Sequence, residues 1–206
     1  MAVIKNKINP VLKRAIDISG ALGGLLFIIP FTPLIWIAIK LESRGPALVR
    51  LERISGGKVI KVYKFRSMIN GARKMKKELK HLNERTDGPF FKIKNDPRLT
   101  KTGKVLRKFR IDEFPQLINV LTGDLSLVGP RPHEPEEIIF YPQNYKYLIL
   151  AKSGVTGLSQ VSGASGLPFL KELSLDAEYQ KKQSFIFDLK IILKTLMIIF
   201  SDPNAV

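Results

Sequence analysis

In the stretch FRIDEFPQL, residues 109–117, Asp112 and Glu113 are adjacent carboxylates followed closely by Pro115. Proline is tolerated in a helix's first turn, and Phe114, Leu117, Ile118 and Leu121 recur at helical spacing up to Gly123, so the two acids fall at a helix N-terminus. Free N–H groups and the positive end of the helix dipole favour anions there, whether carboxylate or phosphate. The simplest use is structural, Asp112 as N-cap and Glu113 as first-turn acid, contributing ~1 kcal/mol. The neighbours argue for chemistry. Arg131 stands between Pro130 and Pro132, and the second proline biases it to extended backbone, a restricted perch for a guanidinium that grips phosphate bidentately. Lys64 and Arg66, two apart in a strand-like run, point the same way and can hold a phosphate, or else simply line an exposed strand face.

The rest of the 206-residue chain must position these groups. Its length allows one sizeable core and no second full domain. There is no cysteine, so disulfides and thiolate sites are excluded; with His81 and His133 the only histidines, any metal would be held by oxygen. Formal net charge is +16 and unevenly spread: residues 1–110 carry 26 Lys and Arg against 7 Asp and Glu, net +19, whereas residues 111–206 are net −3. Such a field suits an anionic partner, be it nucleic acid, anionic lipid or a phosphorylated substrate.

Apolar segments narrow the choice. Ile18 to Ile39 contains no formal charge and is long enough to span a bilayer as a straight helix. Pro30 and Pro33 interrupt it, removing the N–H groups that would bond the carbonyls of Leu26 and Ile29. Both flanks are basic: Lys5, Lys7, Lys13 and Arg14 before, Lys40, Arg44, Arg50 and Arg53 after, so neither end has the character of an exported one. A helix bent near Pro30 that enters and leaves by one face satisfies both flanks; a kinked spanning helix is the alternative. Re-entry requires partners for the freed carbonyls, with Thr32, Ser19 or side chains of the following domain as candidates. A signal peptide does not fit, because the stretch is too long and no small-residue cleavage site follows.

Beyond it, ALVRLERI and VIKVYKF joined through Gly56-Gly57 read as a β-hairpin. ARKMKKELKHL, from Ala72, has apolar residues at helical spacing among cations and reads as a basic amphipathic helix, facing a membrane or water. The C-terminal SFIFDLKIILKTLMIIF is an amphipathic or core helix whose Lys190 and Lys194 can snorkel at a lipid boundary.

Several separated motifs, KRAID at 13–17, Pro30 in the apolar helix, KFRSM at 64–68, DPRLTKTGKVLR at 96–107, DEFPQLINVLTGDLSLVGPRP at 112–132 and GVTGLSQVSG at 154–163, give a sequence that resembles the bacterial sugar transferases of the monotopic phosphoglycosyl transferase superfamily. The likeness covers nearly the whole chain. It implies an α+β, mostly helical fold: a re-entrant membrane helix with basic flanks in residues 1–44, bent at Pro30 and Pro33, and a cytosolic, membrane-surface catalytic domain in 45–206 with a hairpin and interfacial amphipathic helices. It implies transfer of a sugar 1-phosphate from a UDP-sugar to polyprenyl (undecaprenyl) phosphate with release of UMP, at the cytoplasmic face of the bacterial inner membrane, among anionic lipid. By the same resemblance Asp112 is the nucleophile that forms a phosphosugar-aspartyl intermediate, Asp112 and Glu113 hold Mg²⁺, and Arg107 and Arg131 bind phosphate oxygens, with Lys64 and Arg66 as an extension of that site. A homodimer is compatible with it. The chemistry is sound: a carboxylate can serve as covalent nucleophile, and Mg²⁺ with arginines can spread the charge developing at phosphorus.

The sequence departs from the family pattern at Ile29, where serine often precedes the proline, at Leu158-Ser159, where Trp-Ala is more usual, and at Ala164, where arginine is common. The sugar is therefore not legible. A basic membrane-attached module that binds anionic lipid or nucleic acid without catalysis is the rival class, although no recognised nucleic-acid motif is present.

Overall fold

The computed structural model describes residues 8–163 and 166–201; Lys5, Lys7 and Ala164 lie outside the described residues. The fold is α+β and mostly helical, with two separate two-stranded sheets among the described residues. Helix α1 (Pro10–Ile28) begins on Asn9, whose side chain accepts a hydrogen bond from the Val11 N–H. A 3-10 turn, Ile29–Phe31, separates it from α2 (Thr32–Glu42). This interruption falls at the two prolines. Thr32 repairs part of it: its hydroxyl donates to the Ile28 carbonyl at 3.1 Å and its N–H to the Ile29 carbonyl, one of the two that proline frees.

Strands β1 (Leu48–Ser55) and β2 (Lys58–Phe65) pair antiparallel with Ser55 opposite Lys58. Gly56 and Gly57 close the hairpin with φ of 58° and 75°, the left-handed pair that a tight two-residue turn needs. Next come α3 (Lys101–Lys108), a 3-10 turn Ile111–Glu113, and α4 (Gln116–Thr122), which Gly123 ends at φ 90°. β3 (Ser126–Val128) runs parallel to β4 (Gly154–Thr156), with α5 (Pro135–Ile138) and a 3-10 run Gln143–Leu150 between them. The chain continues through α6 (Leu158–Val161), α7 (Phe169–Lys182) and α8 (Phe185–Ser201).

The core crosses the division drawn at residues 44 and 45: Ala21 of α1 packs with Val62 of β2, Leu117 and Val120 of α4, and Leu125. Asn119 of α4 fixes the hairpin. Its side chain accepts from the Tyr63 N–H and donates to the Lys61 carbonyl, taking the place of another strand along β2. Buried polar contacts fasten α1 as well. Arg14 donates to the carbonyls of Val120 and Leu121, Asp17 accepts from the Ser126 hydroxyl and the Leu127 N–H, and Lys13 pairs with the buried Asp188 of α8 at 2.9 Å.

Among the described residues the helical run Pro10–Glu42 is the one long and apolar enough to cross a membrane, and little of it is buried. Leu26, Phe27, Leu34, Trp36 and Ile37 are exposed along it. The C-terminal stretch is amphipathic: α8 buries Asp188 and Ile191 and exposes Ile186, Leu193 and Met197 beside Lys190 and Lys194.

Residues 72–82 do not form the expected helix. They make two short 3-10 turns, Lys74–Lys76 and Glu78–Leu82. Arg73, Lys74, Lys76, Lys77 and Lys80 lie within one helical neighbourhood with only Glu78 to offset them, so an α-helix here would set like charges three and four apart. Two of the cations turn outward to acids elsewhere, Lys76 to Glu134 at 2.8 Å and Arg73 to Glu136 at 3.9 Å.

Candidate active site

Asp112 and Glu113 lie in the 3-10 turn ahead of α4, not in α4 itself. The turn follows Arg110, whose φ of 54° reverses the chain after α3. Pro115 takes the N-cap position of α4, and no side chain caps either element. The structural use that the sequence left open for Asp112 is therefore not made, and its carboxylate is available for other work.

Asp112 is buried and half-buried Glu113 is beside it; Lys64 of β2 reaches both. Its ammonium is 2.5 Å from Glu113 Oε1 and 3.7 Å from Asp112 Oδ2. Burial pushes the Asp112 carboxyl above the ordinary range, and Glu113 adds to the rise while Lys64 and Arg107 oppose it. For Glu113 burial acts upward too, but the charge and hydrogen bond of Lys64, with Arg110 and Arg131, outweigh it and leave the group more acidic than usual. Neighbouring acids are thus pushed apart in acidity.

Arg107, in the last turn of α3, donates through Nε to the Ser67 hydroxyl at 3.0 Å. The first turn of α3 sits hard against the Ser67 carbonyl: a Cβ on Gly103 would come 1.8 Å from that oxygen, so only glycine permits the approach that carries Arg107 to the acids. Arg131 follows β3. Its backbone is fixed on either side, since the Pro130 carbonyl accepts from the Gly154 N–H at 2.8 Å and the Arg131 N–H donates to Asp176 at 3.2 Å. A Cβ on Gly154 would lie 2.1 Å from the Gly129 nitrogen, which ties the glycine-rich segment to placement of Arg131.

The structure thus gathers Asp112, Glu113, Lys64, Arg107 and Arg131 into one field of interacting charge. Arg66 stands apart from this group. The alternation that would set it beside Lys64 ends with β2 at Phe65, and its buried guanidinium turns to the end of α2, donating to the carbonyls of Ile39, Ser43 and Arg44. Sequence reasoning gave no role to Arg110, nor to a group around Arg131: buried His133 and half-buried Glu137, and buried Glu172 and Asp176 of α7. Spacing of four between the members of each pair was the available signal. Burial pushes the Asp176 carboxyl up to about 7, and Ser159, one of the departures from the family pattern, donates its hydroxyl to it at 2.7 Å.

The acids suit a divalent cation shared with a substrate. Among the described residues no group of three or more His, Asp and Glu forms a protein cage. Two carboxylates, however, already share one cationic group, Lys64, and Mg²⁺ characteristically takes one or two carboxylates and completes its shell with phosphate oxygens and water.

The sequence profile described as bacterial sugar transferase matches residues 8–202. The chain is 41% identical over 197 residues to galactosyl transferase CpsE of Streptococcus agalactiae, covering 95% of this chain and 43% of that one. It is 40% identical over 202 residues to UDP-glucose:undecaprenyl-phosphate glucose-1-phosphate transferase of Escherichia coli, covering 92% and 40%. It is 36% identical over 207 residues to exopolysaccharide production protein PSS of Rhizobium leguminosarum bv. phaseoli, covering 91% and 94%. The chain therefore spans less than half the length of the first two relatives and nearly all of the third.

Proposed function

The chain belongs to the bacterial sugar transferase family, and on that premise we propose that it transfers a sugar 1-phosphate from a UDP-sugar to a polyprenyl phosphate, with undecaprenyl phosphate, the acceptor in the name of the E. coli relative, as the natural choice. The observation that carries this reading is the uncapped, buried Asp112 carboxylate facing Lys64 and Arg107. Both substrates are anions, and the surrounding cations suit their phosphates. Asp112 and Glu113 would hold Mg²⁺, which when bound neutralises diphosphate oxygens and favours displacement at phosphorus.

In the first step an Asp112 oxygen attacks the β-phosphorus of the donor. The bond from that phosphorus to the bridging oxygen breaks, and UMP leaves with the oxygen. In the second step an oxygen of the lipid phosphate attacks the same phosphorus, the aspartyl bond breaks, and Asp112 is restored as the carboxylate. One difficult displacement becomes two easier ones. Lys64 opposes the rise that burial imposes on Asp112 and holds Glu113 more acidic than usual, while Arg107 and Arg131 hold phosphate oxygens in place. Two in-line displacements leave the configuration at phosphorus unchanged.

The exposed apolar face of α1 and α2 supports seating in the inner leaflet at the cytoplasmic face. Re-entry is favoured because both ends of that run are fastened to the same domain, the start through Arg14 and Asp17 and the end through Arg66. The test is UMP release from a panel of UDP-sugars with polyprenyl phosphate and Mg²⁺, with the acceptor withheld to accumulate a phosphosugar adduct on Asp112. A kinetic pattern requiring both substrates together, with no adduct, would overturn the two-step reading.

A further inference from the structure

His133 is buried between two acids. Its Nε2 is 3.1 Å from Glu172 Oε1 and its Nδ1 is 3.4 Å from Glu137 Oε2. Phe90 stacks on the ring and Tyr141 meets it edge-on, so the imidazole has little room to turn. The same Glu172 oxygen lies 3.9 Å from Arg131 Nε, and the Arg131 N–H donates to Asp176, one turn further along α7. Arg131 is itself partly exposed while Glu172 is fully buried. The closest approach of the acid is to Nε, on the stem side of the guanidinium, so the two Nη atoms that form its phosphate-gripping fork are not the ones Glu172 engages.

We propose that His133 is a positioning residue for the transfer reaction: as an imidazolium it neutralises and holds apart Glu137 and Glu172, so that Glu172 fixes the Arg131 guanidinium in the direction of the donor diphosphate. This rests on the reading of Arg131 as a phosphate ligand given above. Charge bookkeeping supports it. Facing the imidazole and its two acids are Arg131 after β3, Asp176 of α7, Arg53 of β1, paired with Glu134, and the Tyr141 hydroxyl. With His133 neutral, buried Glu172 and half-buried Glu137, which also accepts the Glu134 N–H, would keep Arg131 and Arg53 as their nearby cations, and Arg131 would be drawn inward, away from substrate. Although burial acts against a charged imidazole, Glu137 and Glu172 outweigh it and bring the group up to about 9, so the charge is present throughout the physiological range. The three positions act through Arg131 and do not touch the reacting atoms.

A double-mutant cycle in the full-length, membrane-reconstituted protein tests this. His133→Gln and Glu172→Gln should each lower kcat/KM for the UDP-sugar by ~10-fold or more, mainly through KM, and neither should lower it further in an Arg131→Lys background. Additive losses in that background would overturn the proposal, since a merely structural role does not depend on Arg131. A second measurement needs no variant in the cluster. With only two histidines, ¹⁵N-histidine labelling of the wild type, with His81→Gln for assignment, reads His133 directly; an imidazolium at pH 7.5 is expected, and a neutral ring would overturn the proposal even if the substitutions prevent folding. Absence of UMP release by the wild type would sink the parent reading instead, and the cycle would then be read on affinity for UDP with the same criterion of additivity.

Discussion

The Lys64 ammonium is held 2.5 Å from Glu113 Oε1, across the gap between the hairpin and the turn before α4. The pair joins a strand to the turn that carries the two acids through a charged hydrogen bond, and Asp112 lies on its other side. Removing that charge by Lys64→Met should take away the largest opposition to burial at both acids. Carboxylates that rise in pKa are ionised only at higher pH, so the acidic limb of the pH–rate profile should move upward and turnover at pH 7 should fall by ~10–100-fold. An unmoved acidic limb would place Lys64 outside the reacting group.

Asp112→Asn should abolish turnover and adduct formation. It should also make the protein more stable near neutral pH. Since burial raises the Asp112 carboxyl, its protonated form is favoured by the fold: the associated stability is present at pH values below the unfolded pKa and is lost as pH rises through the raised one. Deleting the ionisable group restores that loss, so the melting temperature near neutral pH should rise. A lower melting temperature would mean that Asp112 is chiefly a structural acid.

For Arg66 the expectation is the reverse. Arg66→Ala removes the guanidinium that donates to the carbonyls of Ser43 and Arg44 and, beside the Ser43 N–H, to that of Ile39, and should cost about 2–4 kcal/mol in denaturant melts. Donor KM in the folded fraction should stay within about twofold of wild type. A large rise in KM without loss of stability would return the guanidinium to the phosphates.

Gly103→Ala tests the close approach beneath α3. The added methyl would collide with the Ser67 backbone, which cannot yield as a side chain does, so α3 must shift and take Arg107 with it. Stability should drop by about 1–3 kcal/mol, and kcat/KM should fall with it. Alanine tolerated on both counts would show that α3 has freedom to move.

Stability should also decline as pH rises from 6.5 toward 9. His133 is ordinarily half-protonated at pH 6.5 and in the fold at about 9, so its contribution is complete below 6.5 and is lost through 9; at ~1.4 kcal/mol per unit this is about 3 kcal/mol. Asp176, raised to about 7, gives a separate decline from 3.8 to 7. Chemical melts of Asp176→Asn should lose the lower window and keep the upper one.

The sequence displayed the features that rest on local pattern. Gly56-Gly57 between two alternating runs marked the hairpin, the two prolines marked the break after Ile28, and Gly123 marked the end of α4. Asp112, Glu113, Lys64, Arg107 and Arg131 were legible as a group only through the ordered motifs, because no spacing rule joins residues of a strand, a helix and two turns. The short parallel pair of β3 and β4 escaped notice, since each is three residues long and their partnership depends on a close backbone approach of Gly129 and Gly154, far apart in sequence. Apolar spacing in residues 72–82 was a misleading guide: periodicity records where a helix would bury its face, whereas crowded like charge decided that none formed. The group around Arg131 was hidden because a histidine and three acids in a basic chain read as surface until the fold encloses them.

Arg110 adopts a backbone conformation that glycine enters freely and other residues enter at a penalty of order 1 kcal/mol. Surrounding contacts must hold it there continuously, with or without a donor in place. The bearing of the next residue but one is therefore decided during folding, and little rearrangement is left for the moment when a diphosphate arrives. The enzyme would meet its substrate already aimed.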